Sequence, residues 1–383
     1  MWGAALVLPA FAQAPDEGAV DPCALRLRME GQVPVVIHSL EALQAMGDHP
    51  GGHYVLGASI DASATAGWNG GAGFVPVGRP GRPFSGVFDG RGHSIRGLTI
   101  RRAGESHVGL LGLAQNATLC NVGLVGGRIE GRENVGALVG AQRTADGGTA
   151  QLSHVYATAQ VQGAGDNVGG LVGHNDAFHG SSRIAHAYAT GAVTGEGDNV
   201  GGLVGHNEAY KGQAHIAIAY ASGPVTGAGS NVGGLVGHNE AYDGTASIAD
   251  AYATGAVKGR DYAGGLVGYN DALSGRVSIA RAYSSGTVVA GGEVMGGLVG
   301  LNTNGEITQS FYATTDAAGN TINHSMYVAG EGRAWQALQQ RSTFAGWSIS
   351  VQGDCTADAS ALWCLQEGRG MPSLLSLRPP PAP

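Results

Sequence analysis

One segment of about 32 residues recurs through most of this chain, and that repetition limits the folds open to it more than any other feature. Val168–Asn175 (Val-Gly-Gly-Leu-Val-Gly-His-Asn) returns almost unchanged at Val200–Asn207 and Val232–Asn239. Weaker copies stand at Val108–Gly112, Val135–Gly140, Ala263–Asn270 and Met295–Asn302, so the first positions are offset by 27, 33, 32, 32, 31 and 32 residues. A second block alternates with it: Ile184–Gly191, Ile216–Gly223, Ile248–Gly255 and Ile279–Gly286. Aromatic residues fall in one column, Tyr156, Tyr188, Tyr220, Tyr252, Tyr283 and Phe311. Such a period is too short for a domain, so each unit must bury its apolar face against its neighbours.

The units read as strands rather than helices. Runs of Val, Ile, Tyr and Thr are punctuated by Gly, Asn and Asp turns. Three glycines in each Val-Gly-Gly-Leu-Val-Gly would cost roughly 1 kcal/mol apiece in a helix interior. The expected architecture is therefore all-β: a parallel β-solenoid with one coil per repeat, coils about 4.8 Å apart. Stacking also accounts for composition. Of 383 residues 68 are glycine, only 6% are aromatic and 13% are charged, against roughly 7% glycine and 25% charged in ordinary domains. A narrow interior takes Ala, Val, Leu and Gly, and Asn175, Asn207, Asn239, Asn270 and Asn302 are placed to form an amide ladder. One conflict stands: Ile248, Asp250 and Tyr252 share strand parity and cannot all face inward. Either a bulge breaks the alternation or the tyrosines line an outer face.

The repeats resemble the GLUG motif, whose Gly-Leu-x-Gly core is Gly170–Gly173 here. The lead-in, Tyr54–Ala62, Gly73–Gly78 and Phe84–Ile95, and the ending, Trp363–Leu374, strengthen the likeness. It covers about residues 33–375 and is similar to the repeat regions of filamentous haemagglutinin-like bacterial surface adhesins. IgA-cleaving metallopeptidases also carry the motif. The resemblance implies a right-handed parallel β-helix, secreted or at the surface of a bacterium, and supplies no activity. The His-Glu-x-x-His zinc site of the peptidases has no counterpart, because no His-Glu dipeptide occurs.

The expected organisation is a signal peptide over 1–12, an N-terminal cap over 13–65, the β-helix over 66–330, a C-terminal cap over 331–375 and a solvated tail over 376–383. Trp2–Phe11 is an apolar run, and Ala10-Phe11-Ala12 suits cleavage after Ala12, although no Lys or Arg precedes the run. Within the caps, Val33–Ile37 reads as a strand, Leu40–Met46 as a short helix N-capped by Ser39, and Arg333–Arg341 as another helix. The even cysteine count suits an exported chain. Cys355 and Cys364 are nearest in sequence and are paired, which leaves Cys23 with Cys120.

A net charge of −8 and only two lysines, Lys211 and Lys258, argue against nucleic acid. No cofactor and no metal are expected. Asp166, Asp198 and Asp261, with Ser230 in their column, read as turn residues rather than calcium ligands, and so does Asp89. Lys258, Arg260 and Asp261 form the one charged group resembling a lyase centre and share a single turn. The chain is expected not to be an enzyme, the alternative being a carbohydrate-active β-helix lyase or hydrolase.

The candidate binding surface is a loop expected after each GLUG strand. It stacks His174, His206 and His238 in one column, then Asp176, Glu208 and Glu240, then Phe178, Tyr210 and Tyr242, with Asp271 extending the acidic column. Aromatic faces beside polar groups suit glycans. The expected function is an exported, adhesin-like binding module acting as a monomer, its partner a glycan or a host or cell-surface protein, with no membrane-spanning segment in the mature chain.

Overall fold

The computed structural model describes residues 21–377 apart from 146, 293, 324–326, 352–354 and 356–360. The expected signal peptide lies outside the described residues, as does most of the tail.

Each repeat is one coil of a right-handed parallel β-solenoid. One coil runs through four strands, Ser181–Ala189, Val193–Gly195, Val200–Gly201 and Val204–Tyr210. Each pairs in parallel with its equivalent one repeat later: Ile184 with Ile216, Val193 with Val225, Val200 with Val232, Val204 with Val236. The long first strand forms one broad face, and the strand ending His-Asn-acid-Ala-aromatic forms another, seven strands deep. Ile184, Ala187, Ala189, Val193, Val200, Leu203 and Val204 are each at most 1% exposed, so one column after another fills a slender interior. A fully buried Val, Leu or Ile is worth about 1.5–3 kcal/mol, and the repeat supplies several per coil.

The glycines of the repeat are set by backbone approach. A Cβ on Gly201 would lie 1.9 Å from the Val204 carbonyl oxygen, on Gly202 2.1 Å from that of Gly234, and on Gly205 2.6 Å from that of Gly173. The corner between the two short inner strands and the histidine-bearing face is backbone against backbone, which explains the motif without reference to helix propensity.

The parity conflict resolves through a column of bulges. Asn121, His154, His186, Ile218, Asp250 and Arg281 all have left-handed φ, between 49° and 55°. Each takes up one residue without a ladder partner, so Ile248 and Ala251 both point inward. Tyr188, Tyr220, Tyr252 and Tyr283 consequently stack on the outside of the long face, ring centroids 4.8–5.1 Å apart.

Two segments clasp that outer face. Near the N-terminus a helix, Pro22–Glu30, is capped by Asp21 and ends at left-handed Gly31. The Cys23–Cys120 disulfide and hydrogen bonds from Arg26 to Asn116 O and Thr118 hold it down. This helix is absent from the expectations above, although Asp21-Pro22 is a start signal. Strand Val35–Ile37 and the Ser39-capped helix Leu40–Ala45 follow.

The C-terminal segment folds back along the tyrosine column as a strap. Phe344, Trp347, Trp363, Leu365, Leu374 and Leu377 pack with Tyr220, Tyr283 and Phe311 in a second core. Trp363 Nε1 donates to Asp250 Oδ1 at 3.2 Å, Tyr283 Oη to Pro372 O at 2.7 Å, and Ser376 lies 3.2 Å from His186 Nδ1. Cys355 bonds to Cys364 within it. In place of the expected helix over Arg333–Arg341 stand two 3-10 turns, Ala337–Gln339 and Arg341–Phe344. They let Leu338 and Phe344 both reach the second core.

Candidate functional site

The segment expected as a loop is a strand. Val172–Phe178, Val204–Tyr210 and Val236–Tyr242 continue straight through the His-Asn-acid-Ala-aromatic positions, paired along their length. Alternation then sorts the residues: Asn and Ala inward, His, acid and aromatic toward the outer surface.

The imidazoles of His174, His206 and His238 stack at 4.9 and 4.7 Å, and Tyr269 closes the column at 4.9 Å from His238. Their carboxylate partners come from the next coil. His174 Nε2 meets Glu208 Oε2 at 3.0 Å, and His206 Nε2 meets Glu240 Oε2 at 3.0 Å. Asp176, the first acid, is held instead by Arg143 Nε at 2.9 Å. The ladder stops at His238, where the next acid is Asp271, one methylene shorter. His238 Nε2 and Asp271 Oδ1 are both buried without a hydrogen-bond partner.

Burial and the neighbouring His174 hold His206 down to about 3, and burial with His206 does the same to His238. Glu208 is held down to about 2, chiefly by the hydrogen bond from His174. Glu240 receives the same contact from His206, but desolvation outweighs it and raises its pKa. His206 and His238 are therefore neutral at neutral pH. The groups His174, His206, Glu208 and His206, His238, Glu240 each bring three ligand atoms within 4.8 Å. A metal sits in the plane of an imidazole, along the nitrogen lone pair, and no single ion lies in the planes of two rings stacked within 5° of parallel.

Behind this face runs the expected amide ladder. Asn175, Asn207, Asn239 and Asn270 each donate to the next asparagine, ending at Asn302, at 2.7, 2.8, 2.7 and 2.6 Å. A second ladder, unforeseen, runs the other way: Asn231 to Asn199, Asn199 to Asn167, Asn167 to Asn134. Its members share a left-handed φ of 53–62°, a conformation asparagine tolerates well.

Phe178, Tyr210 and Tyr242 form an outer ridge with centroids 5.2 Å apart and rings within 6° of parallel. Their faces are therefore turned on one another, and His179 leans on Phe178 at 4.5 Å. Edges and hydroxyls, rather than the open ring faces expected from sequence, are presented outward; Phe178 is 47% and Tyr242 43% exposed.

Beside the ridge lies a groove that sequence reasoning missed, of about 780 Å³ and four coils long. Its floor is the glycine column Gly180, Gly212, Gly244 and Gly275. A Cβ on Gly212 would meet Ala177 O at 2.3 Å, so the floor cannot carry side chains. His179, Lys211 and Asp243 line it from left-handed turns, and Ser181, Gln213, Thr245 and Arg276 form its far wall. The signal was present as an aromatic-x-Gly triplet at the repeat spacing: Phe178-His179-Gly180, Tyr210-Lys211-Gly212, Tyr242-Asp243-Gly244.

The other candidates are occupied structurally. Asp166 Oδ1 accepts from Asp198 N at 2.8 Å, and Asp198 Oδ1 from Ser230 N at 2.7 Å. Asp89 Oδ1 accepts from Arg91 N. Arg260 pairs with Asp261 at 2.9 Å.

Fold and site together define a repeat-built parallel β-solenoid with columnar surfaces. The family model for the GLUG motif matches residues 164–194 and 228–258, and the chain carries GLUG-motif repeats. Halomucin of Haloquadratum walsbyi is 39% identical over 147 residues, 37% of this chain and 2% of halomucin. The chain thus spans about 2% of the length of that curated relative. Among solved structures, a putative immunoglobulin A1 protease from Bacteroides ovatus superposes with a TM-score of 0.51 at 19% identity, covering 72% of this chain and 84% of that one. A second solved chain, named IgA1 protease, gives a TM-score of 0.46 at 18% identity over 81% of this chain and 24% of that one. The first likeness shows the fold. It also corrects the expectation that the chain is not an enzyme: a chain of this fold is named as a putative protease, so the β-solenoid gives no ground for that exclusion. No helix among the described residues is long and apolar enough to cross a membrane.

Proposed function

We propose that this chain is an extracellular, adhesin-like binding module whose β-solenoid displays one extended ligand site, the groove beside the aromatic ridge, to a glycan. The observation that carries this reading is the groove's repetition. Each coil presents the same turn, glycine floor and ridge position, so an extended polymer meets equivalent weak contacts at about 4.8 Å intervals, and avidity accumulates along it. The two disulfides support an oxidising, extracellular setting.

The test is a glycan array probed with the wild type and with a Phe178→Ala, Tyr210→Ala, Tyr242→Ala triple variant. Binding by the wild type that falls about tenfold or more in the folded variant supports the ridge and groove as the site. Full-strength binding by the variant removes it, and no binding by the wild type removes the glycan reading.

A further inference from the structure

The groove has a charge character that the protein as a whole does not. With a net charge of −8, cations are scarce, yet Lys211 and Arg276 line the groove. Arg183 stands just outside the groove lining, one outward position beyond Ser181 on the same strand, half-buried, where its charge adds to burial in lowering the His215 pKa. Among the described residues none of these three cations pairs with a carboxylate. Eight arginines elsewhere, Arg26, Arg102, Arg128, Arg132, Arg143, Arg260, Arg281 and Arg333, each have an acidic partner. The groove cations belong to the rest of the set, and what sets them apart is that they line up along one groove. Lys211 instead lies over the Tyr210 ring, 5.4 Å from its centroid. One carboxylate, Asp243, lines the groove.

Their placement is linear. In the strand register Arg183 sits one coil before Gln213, beside which Lys211 stands, and Arg276 two coils beyond. Three cations therefore span about 14 Å along the axis, over a floor of backbone and between polar walls. The groove offers no apolar pocket for a peptide side chain. Hydrogen-bonding groups repeat along it, Ser181, Gln213, Thr245 and Ser274 among them.

We propose that the groove binds a linear acidic polysaccharide, its carboxylate or sulfate groups meeting Arg183, Lys211 and Arg276 and its hydroxyls meeting the Ser, Gln and Thr wall. This rests on the glycan reading above and gives it a substrate class. Arginine favours such anions because its planar donors match two oxygens at once, and a groove walled by protein focuses the attraction.

The experiment measures binding of the full chain to polygalacturonate, dextran sulfate, neutral dextran and poly-glutamate by calorimetry at two salt concentrations. It compares the wild type, an Arg183→Gln, Lys211→Gln, Arg276→Gln triple variant, and Lys258→Gln as a control on a different strand face. The expected result is binding of one or both acidic polysaccharides, weakened by salt and reduced about tenfold or more in the triple variant, with Lys258→Gln unchanged and thermal unfolding preserved in both. The polymer preferred, uronate or sulfate, distinguishes the two anion sources. Equal binding of poly-glutamate would overturn the proposal in favour of an acidic protein partner. Equal affinity of wild type and triple variant would overturn it as well. Binding of neutral dextran alone, lost on truncating the ridge aromatics, would leave the glycan reading standing and remove this inference; no binding of any polymer would remove both.

Discussion

At the scale of single residues, the imidazole–carboxylate ladder shows how much one methylene decides. Two links close at 3.0 Å through Glu208 and Glu240, and the third fails at Asp271. Asp271→Glu should close it, satisfying two buried groups and adding about 1 kcal/mol, seen as a rise of about 1–3 °C in Tm. Acid should act oppositely. Because His206 and His238 are held down to about 3, the unfolded chain takes up protons that the native state refuses once pH falls below about 6.5. Their contribution is complete above that value and lost on the way down to 3. Glu208, held down to about 2, adds a second loss as pH falls from 4.5 toward 2. Thermal unfolding followed from pH 7 to pH 4 should show Tm dropping by about 5 °C or more, with a shallower drop in a His206→Gln, His238→Gln variant. The histidine and acidic columns were legible in the sequence because the repeat displays them. Which partner each group takes was not, since each bond joins a histidine to the acid of the following coil, and Arg143, which holds Asp176, belongs to a weak repeat copy.

At the scale of the strand and the coil, the repeat itself was fully legible, down to one of the two asparagine ladders. The bulge column was not. Four of its six occupants, Asn121, His154, His186 and Asp250, are types that tolerate left-handed backbone, but Ile218 and Arg281 are not, and there the stack imposes the conformation on whatever residue stands in the column. Because coils interact chiefly with neighbours, whole coils should be removable. Deleting Val135–Asn167 joins Asn134 to Val168 and keeps every column, so circular dichroism should retain the β signal with a cooperative melt. Deleting Val200–Asn231 also keeps register but removes Ile218 and Tyr220, which touch the strap, and should melt at a lower temperature than the first deletion. Removing half of either coil should abolish cooperative unfolding. Equal behaviour of whole-coil and half-coil deletions would contradict the one-repeat, one-coil assignment.

At the scale of the whole molecule, the strap converts a stack of neighbours into something with longer reach. It joins the bulge residues His186 and Asp250 and the aromatics Tyr283 and Phe311, which belong to different coils, through one aperiodic segment. Sequence reading placed this segment at the end of the stack, because its apolar residues reveal a need for burial and no periodicity reveals where. Trp363 is its pivot, fully buried and donating to Asp250, which is itself clamped by Arg281 at 2.6 and 2.8 Å. Trp363→Ala should cost about 3–5 kcal/mol. Hydrogen exchange should then quicken in the strap and in the outer half of the long face, while the histidine-bearing face stays protected.

The strap also bears on how the molecule would respond to tension. A bare solenoid pulled at its two ends can surrender one coil at a time, like yarn leaving a skein, because each rupture breaks only one ring of ladder bonds. Here the force path through the strapped coils runs in parallel with the strap, whose own contacts are spread from His186 to Phe311. Those coils must let go together or not at all. The first coils are held instead by the N-terminal helix, through the Cys23–Cys120 bond and the hydrogen bonds of Arg26 to Asn116 O and Thr118. Under load the molecule would therefore yield first between the disulfide-clasped start and the strapped half, a mechanical fuse whose position is set by where the tyrosine column loses its cover.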